Sequence, residues 1–311
     1  MGVFIDPKVD WAFKRIFGDK VLLIDFLNSL LEGERVITEL DYLNTERVGL
    51  HKEQRKSVYD LYCKTDTGEH IIVEMQNRWP EFFEDRALYY SACSIVEQGE
   101  QGKWNFELTP VYGIFFINFL INKEETEHFC KDVMLMDKHT GKVFSKKLRQ
   151  IYIELPRFRK SETDCENFFE YWIYNLVNMK DMNEIAFKDQ NAIFGHLEEI
   201  ASQANLSKED RQRYRESWKL YNDYFNTIES AEKKATEEGL AKGIAKGLEE
   251  GLAKGLEQGL EQGLARGLEQ GLEQGRSSEK MEIAKKMKAK GQASDFIADI
   301  TGLTLEEIEK L

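Results

Sequence analysis

Positive charge is in short supply. Forty-three Lys and Arg stand against 56 Asp and Glu, a formal net charge of −13 over 311 residues. Such a chain has no general basic coat, so any affinity for a polyanion such as DNA has to be local and assisted by metal. Histidine is scarce too: the five present form no H-E-x-x-H pattern, which removes support for a zinc hydrolase. Cys63, Cys93, Cys130 and Cys165 are scattered, with no C-x-x-C and no histidine at metal spacing, and read as reduced core thiols. No segment reaches about 18 apolar residues without charge, and the start Met-Gly-Val-Phe-Ile-Asp-Pro-Lys lacks a basic region followed by an apolar stretch. The expectation is a cytoplasmic protein with no membrane partner.

An aromatic content of 12% supplies enough apolar surface for a real core, and the length allows two folded units or one with an extension. Apolar residues at helical spacing predict amphipathic helices over Val9 to Phe17 and Val21 to Leu31. Ile37 to Glu46 reads as a strand, followed by a charged connection from His51 to Lys56 and then two short strands. Glu81 to Gln98 is helical, with Phe82, Leu88, Tyr89, Ala92, Ile95 and Val96 as its expected buried face. Val111 to Asn118 is too continuously apolar for a half-exposed strand and is expected at the centre of a sheet. The order helix, three strands, helix, strand predicts an α/β (α+β) fold, with an antiparallel meander in one sheet flanked by helices. Beyond Ile121 the signals weaken. Lys142 to Leu155 has room for one or two further strands, and Cys165 to Val177, Asp189 to Ala204 and Lys208 to Ile228 read as helices. Phe168, Tyr171, Trp172, Trp218, Tyr221 and Tyr224 sit at helical spacing and are read as packing in a helical subdomain rather than as a nucleic-acid stripe.

Two of the short strands contain acids. Asp60 lies in Val-Tyr-Asp-Leu-Tyr-Cys and Glu74 in Ile-Ile-Val-Glu-Met-Gln. Between them, Thr65-Asp-Thr-Gly-Glu69 suits a hairpin whose glycine is left-handed. If Thr65 pairs with Glu69, five residues back along each strand set Asp60 opposite Glu74, with Gln76 on the same face. Opposed β-carbons sit roughly 5 Å apart, where like charges repel. A divalent cation between them would turn that repulsion into attraction. Lys14, Arg15, Arg47, Arg55, Lys56, Arg78 and Arg86 are candidate phosphate contacts; Arg78 or Arg86 could instead compensate the acids in a purely structural pair.

Glycine recurs every four residues from Gly239 to Gly275, and every one but the last is followed by Leu or Ile. On a helix the stripe drifts about 40° per repeat, which is not a heptad seam and favours right-handed wrapping if two copies associate. At about 1 kcal/mol each against alanine, the interior glycines make an isolated helix marginal unless a partner packs closely. Either self-association or tolerated low complexity accounts for the repeat; its Lys, Glu and Gln exclude a bilayer span. In the tail, Ser278 to Lys290 and Asp295 to Ile300 read as short helices. Gly302-Leu-Thr304 before Glu306 or Glu307 reads as the cap of a last helix over Leu305 to Leu311. The spacing from Phe296 to Ile308 is that of a helix-turn-helix, but basic residues are few, so protein docking is favoured over groove reading.

An acid on one strand and E-x-Q on the next, set in this order of elements, resembles the PD-(D/E)XK nuclease superfamily. Within it the chain is similar to the Rpn family of recombination-promoting nucleases and putative transposases. The resemblance is carried by Asp10-Trp-Ala-Phe-Lys-Arg-Ile-Phe17, Phe26 to Leu31, Asp60, Glu74-Met-Gln76, Arg86 with Tyr89 and Tyr90, the glycine repeat and the Ile-Thr-Gly-Leu-Thr tail. It implies a restriction-endonuclease-like core over residues 1–120, its completion and a helical subdomain over 121–230, the repeat helix over 231–276 and a short helical tail over 277–311. The activity implied is Mg²⁺-dependent hydrolysis of DNA phosphodiesters, with Asp60, Glu74 and the Met75 carbonyl on the metal and Lys14, Arg15, Arg78 and Arg86 near phosphate. Gln76 stands where the family pattern has lysine, and an amide can orient a water but cannot titrate. Asp10 either adds an acid to the site or caps the first helix. The competing expectation is an inactive nuclease fold that binds DNA or regulates, assembled through the repeat.

Overall fold

The computed structural model describes residues 2–47, 57–99, 104–125 and 127–311. Arg55 and Lys56, with the rest of the charged connection from His51, lie outside them. The chain divides into two units, Met1–Phe225 and Asn226–Leu311.

In the first unit, α1 (Asp10–Phe17) buries Ala12, Phe13, Ile16 and Phe17, and α2 (Lys20–Leu30) buries Leu22, Leu23, Phe26 and Leu27, each set at helical spacing. Asp19 caps α2 by accepting from the amides of Val21 and Leu22 at 3.0 and 3.1 Å. These helices lie against a six-stranded mixed sheet in the order β1-β4-β5-β6-β8-β7, formed by β1 (Leu40–Tyr42), β4 (Leu61–Thr65), β5 (His70–Gln76), β6 (Val111–Ile117), β7 (Cys130–Met136) and β8 (Val143–Glu154). β1, β4 and β5 are antiparallel neighbours, as the meander requires; β6 is parallel to both β5 and β8. The expected strand Ile37 to Glu46 is shorter than its sequence pattern: it yields β1, then β2 (Glu46–Arg47), which pairs with β3 (Ser57–Val58) in a separate ribbon.

β6 is buried along its whole length. On one side Phe116 meets Phe13, Phe17 and Phe26 with ring centroids 5.4, 5.4 and 5.2 Å apart. On the other, Phe115 and Ile117 pack with Phe83 and Ala87 of α3 (Phe83–Val96) and with Tyr152. The buried face of α3 differs from the expected one. Phe83, Ala87, Ser91 and Ser94 face the sheet, whereas Phe82, Leu88, Tyr89 and Val96 are exposed. Close approach contributes to this: a β-carbon on Gly113 of β6 would sit 2.7 Å from the Phe115 ring and 3.1 Å from Ser91 Oγ, so over Gly113 the helix presents a small residue. β7 has no counterpart among the expected strands; it is an edge strand whose Val133, Leu135 and Met136 are exposed, so no alternation marked it.

α4 (Phe168–Asn178), α5 (Ile193–Ala201) and the start of α6 (Lys208–Ala289) complete the unit. Trp172 is fully buried against Phe17, Phe26 and Phe194 and donates its indole N–H to Asp25 at 2.8 Å, so most of the aromatic run is packing.

In the second unit α6 carries the glycine repeat. Space around each glycine from 239 to 275 is open, and the adjoining Leu and Ile side chains are all exposed. Ser278 to Lys290 is not a separate short helix but the end of α6, because no proline or left-handed residue intervenes before Gly291 at φ +77°. α7 (Ser294–Thr301) and α8 (Leu305–Glu309) pack Ile297, Leu303 and Ile308 on Ala284. Gly302 is left-handed, and Thr304 with Glu307 forms the expected capping box. No described helix is long and apolar enough to cross a membrane.

Candidate active site

The hairpin fixes the geometry. Gly68 takes φ +91°, Thr65 N–H bonds to the Glu69 carbonyl at 3.0 Å, and the ladder runs Lys64–His70, Cys63–Ile71, Tyr62–Ile72, Leu61–Val73. The ladder ends there, and Asp60, the residue before β4, reaches β5 beside Glu74 through its side chain. There Asp60 Oδ2 accepts the Met75 N–H at 2.9 Å. A strand residue points its N–H and C=O to the same side, so the Met75 carbonyl is also turned toward β4 and Asp60.

Glu74 is almost wholly buried. Its Oε2 accepts from the Gln76 amide at 2.7 Å and lies 3.6 Å from the Arg86 guanidinium, while its Oε1 is buried without a hydrogen-bond partner. Arg86 comes from α3 and is steadied by the Tyr90 ring, 5.0 Å below the guanidinium carbon. From α1, Lys14 Nζ bridges Asp10 at 2.7 Å and Asp60 at 3.3 Å. Asp10 does not cap the helix: Val9 is the N-cap, and Asp10 is the first helical residue, one turn before Lys14. Lys14 therefore stands among the acids. The Asp10–Lys14 spacing of i,i+4 was the available signal, but only docking of α1 against β4 brings the pair to Asp60.

Arg15 and Arg78 are engaged elsewhere. Arg15 donates to the Ile200 carbonyl at 3.0 Å and pairs with Asp210 at 3.3 Å, and Arg78 lies 4.0 Å over the Tyr224 ring. Arg47 lies in β2, outside the main sheet.

Burial, reinforced by the charge of Asp60, pushes the Glu74 carboxyl up to about 8. Burial raises Asp60 as well, against the opposing pull of the Met75 N–H and of Lys14. For Lys14, burial works against its charge, yet the bond to Asp10 and the charge of Asp60 hold it above the usual lysine value. A raised carboxyl favours the protonated folded state, so its contribution is present below the ordinary glutamate range and is lost as pH climbs toward about 8. With divalent ions chelated, Glu74→Gln is expected to raise the melting temperature more at about pH 8.5 than at about pH 5. Equal shifts at both would show that Glu74 carries no such strain.

Among the described residues no group of three or more His, Cys, Asp or Glu side chains is assembled that could hold a metal. The donor set is smaller and mixed: two acids that repel one another, one of them with an orphaned carboxylate oxygen, and one carbonyl. Hard divalent cations take such oxygen donors and complete their shells with water, so the residues fit one.

A mixed sheet flanked by helices, with paired acids at the end of a hairpin, defines a restriction-endonuclease-like α/β protein. The family model described as PD-(D/E)XK nuclease family transposase matches residues 7–231, and the chain belongs to that family. Membership supports a nuclease-like function in general, with DNA as the substrate that the family implies. No curated protein and no solved structure matches the chain significantly.

Proposed function

We propose that the protein is a divalent-cation-dependent DNA endonuclease that hydrolyses phosphodiesters at Asp60, Glu74 and Gln76. The observation that carries this reading is the orphaned Oε1 of Glu74 beside a second, half-buried carboxylate, since an unpaired buried acceptor calls for a cationic partner. Asp60, Glu74 and the Met75 carbonyl are the residues to hold the ion, Mg²⁺ or another divalent cation. When bound, it supplies the charge that polarises a phosphoryl oxygen, promotes hydroxide formation and stabilises the leaving oxygen.

The remaining steps belong to the side chains. Lys14 and Arg86 flank the acids from α1 and α3 and meet the phosphate charge. Lys14 thereby provides the ammonium that position 76 lacks, and Asp10 positions it. Gln76 holds Glu74 through its amide N–H and has its carbonyl oxygen left to accept from the attacking water. Lys14→Met is expected to lower the rate of plasmid nicking at least about tenfold while the heat of Mn²⁺ binding persists. Loss of both together, or of neither, would contradict the role given to Lys14.

We place the reaction in the cytoplasm, a reading supported by four cysteines that form no disulfide among the described residues. Family membership points the activity toward recombination of mobile elements or defence against phage. The exposed Leu and Ile of the repeat support self-association through α6. A chain ended before Gly239 should then show a smaller assembly by light scattering; an unchanged oligomer would exclude the repeat as the assembly element. A second reading, an inactive nuclease fold that binds DNA or regulates, is favoured by two facts: Gln76 cannot titrate, and Lys14 and Arg86 already offset the acids.

A further inference from the structure

Two aromatic side chains that follow β5, the strand of Glu74, in the chain are exposed. Phe82 is 66% exposed and Trp79 is 44% exposed. Trp79 is nonetheless fixed: its ring lies 5.2 Å from Phe119 in an edge-on arrangement and 6.2 Å from Phe83, which is buried. One edge of the indole is clamped and the rest is open. Phe82 takes φ +61° and ψ +41°, the left-handed region, as the N-cap of α3 with no side-chain cap bond. That conformation costs a residue with a β-carbon about 1–2 kcal/mol, and glycine or asparagine would occupy it more cheaply. Two other phenylalanines share it, and each has a ring beside it: Phe187 is stacked on Tyr171 at 4.1 Å, and the exposed Phe106 lies tilted against Trp104 at 4.7 Å. At Phe82 neither burial nor capping offsets the strain, and strain held at an exposed side chain marks a functional surface.

The pair is placed by the same elements as the acids. Trp79 follows Gln76 by three residues, a reach of at most about 10 Å, or roughly three base steps of DNA. Phe119 lies two residues beyond the end of β6, the parallel neighbour of β5, and Phe83 opens the helix that carries Arg86 to Glu74. The aromatic pair and the carboxylates thus share the C-terminal end of the β5–β6 pair.

We propose that Trp79 and Phe82 form a stacking platform for unpaired bases, so that the DNA cut at this site is locally single-stranded; the proposal rests on the nuclease reading of Asp60 and Glu74. Bases in a duplex hide their faces against one another, whereas an unpaired base presents a face to a flat ring. Stacking on an aromatic side chain is independent of sequence and of phosphate charge. With a net charge of −13 the chain has little general attraction for the duplex backbone beyond Lys14 and Arg86, and stacking adds a recognition that phosphate charge does not supply.

The test is binding of labelled DNA to the full chain with divalent ions chelated, so that cleavage does not enter. The probes are a short duplex, the same duplex with a central unpaired loop, and the single strand. The wild type is expected to bind the looped and single-stranded probes on the order of tenfold more tightly than the duplex. Combined Trp79→Ala and Phe82→Ala should erase that preference and leave duplex binding unchanged, while Trp79→Tyr with Phe82→Tyr should keep it. Equal binding of all probes by the wild type, or a preference that survives the alanine pair, would overturn the proposal. So would a fall in sedimenting mass on alanine substitution, which would make the patch a contact between copies of the chain. A preference retained by a protein that never cleaves would count against the nuclease reading alone.

Discussion

Exchange of Asp60 for asparagine is expected to cut ion-dependent nicking of plasmid DNA by more than about 100-fold, since replacement of residues that merely support a metal ligand costs about 10–100-fold. The substitution is chosen to separate chemistry from architecture. An asparagine oxygen can still accept the Met75 N–H that Asp60 holds at 2.9 Å, and Lys14 keeps its 2.7 Å bond to Asp10. What disappears is one of two like charges, so the burden on Glu74 falls and its carboxyl returns toward the ordinary range. The metal-free variant should therefore melt no lower than the wild type near pH 8. A purely structural acid cluster, balanced by Lys14 and Arg86, predicts the reverse: Asp60→Asn would leave Lys14 undercompensated and lower the melting temperature. Cleavage and melting read together distinguish the two, and equal nicking by wild type and variant would remove Asp60 from the site.

Phe116→Ala should destabilise the first unit by about 3–5 kcal/mol, the usual range for emptying a buried aromatic position. Phe116 is fully buried on β6 and touches rings from both N-terminal helices: Phe13 and Phe17 of α1 and Phe26 of α2. Its removal takes the support from beneath α1, the helix that carries Lys14 to Asp60. Denaturant unfolding should show a lower midpoint, and cleavage should fall well below the melting temperature because Lys14 loses its fixed position. A Phe116→Ala protein as stable as the wild type would mean that α1 is not held by this cluster.

The acid pair was legible because a hairpin is a local object. One glycine at the left-handed position and alternation along two strands were enough to set Asp60 against Glu74, and the observed ladder runs in that register. The central place of β6 could be read from the same kind of local signal, an unbroken apolar run. The face of α3 could not. Leu88, Tyr89 and Val96 look like core residues, yet the helix turns on Ala87, Ser91 and Ser94 because distant Gly113 admits it closely. Hydrophobicity ranks residues by their wish for burial, whereas close packing selects them by size. Lys14 was hidden for a related reason: its contact with Asp60 spans 46 positions in sequence and exists only once α1 has docked beside β4. β7 gave no signal because an edge strand need not alternate. The repeat was legible as a helix, and its glycines stand in open space with exposed Leu and Ile beside them.

The central claim, that this acid pair serves ion-dependent cleavage despite a glutamine in the lysine position, is tested most directly with supercoiled plasmid and the wild-type protein, with Mg²⁺ and with chelator. The account predicts nicked and linear plasmid with Mg²⁺ and intact plasmid with chelator. Plasmid that stays supercoiled in Mg²⁺ at excess protein, from a preparation that is folded and binds DNA, would contradict it and leave the inactive, DNA-binding reading in its place.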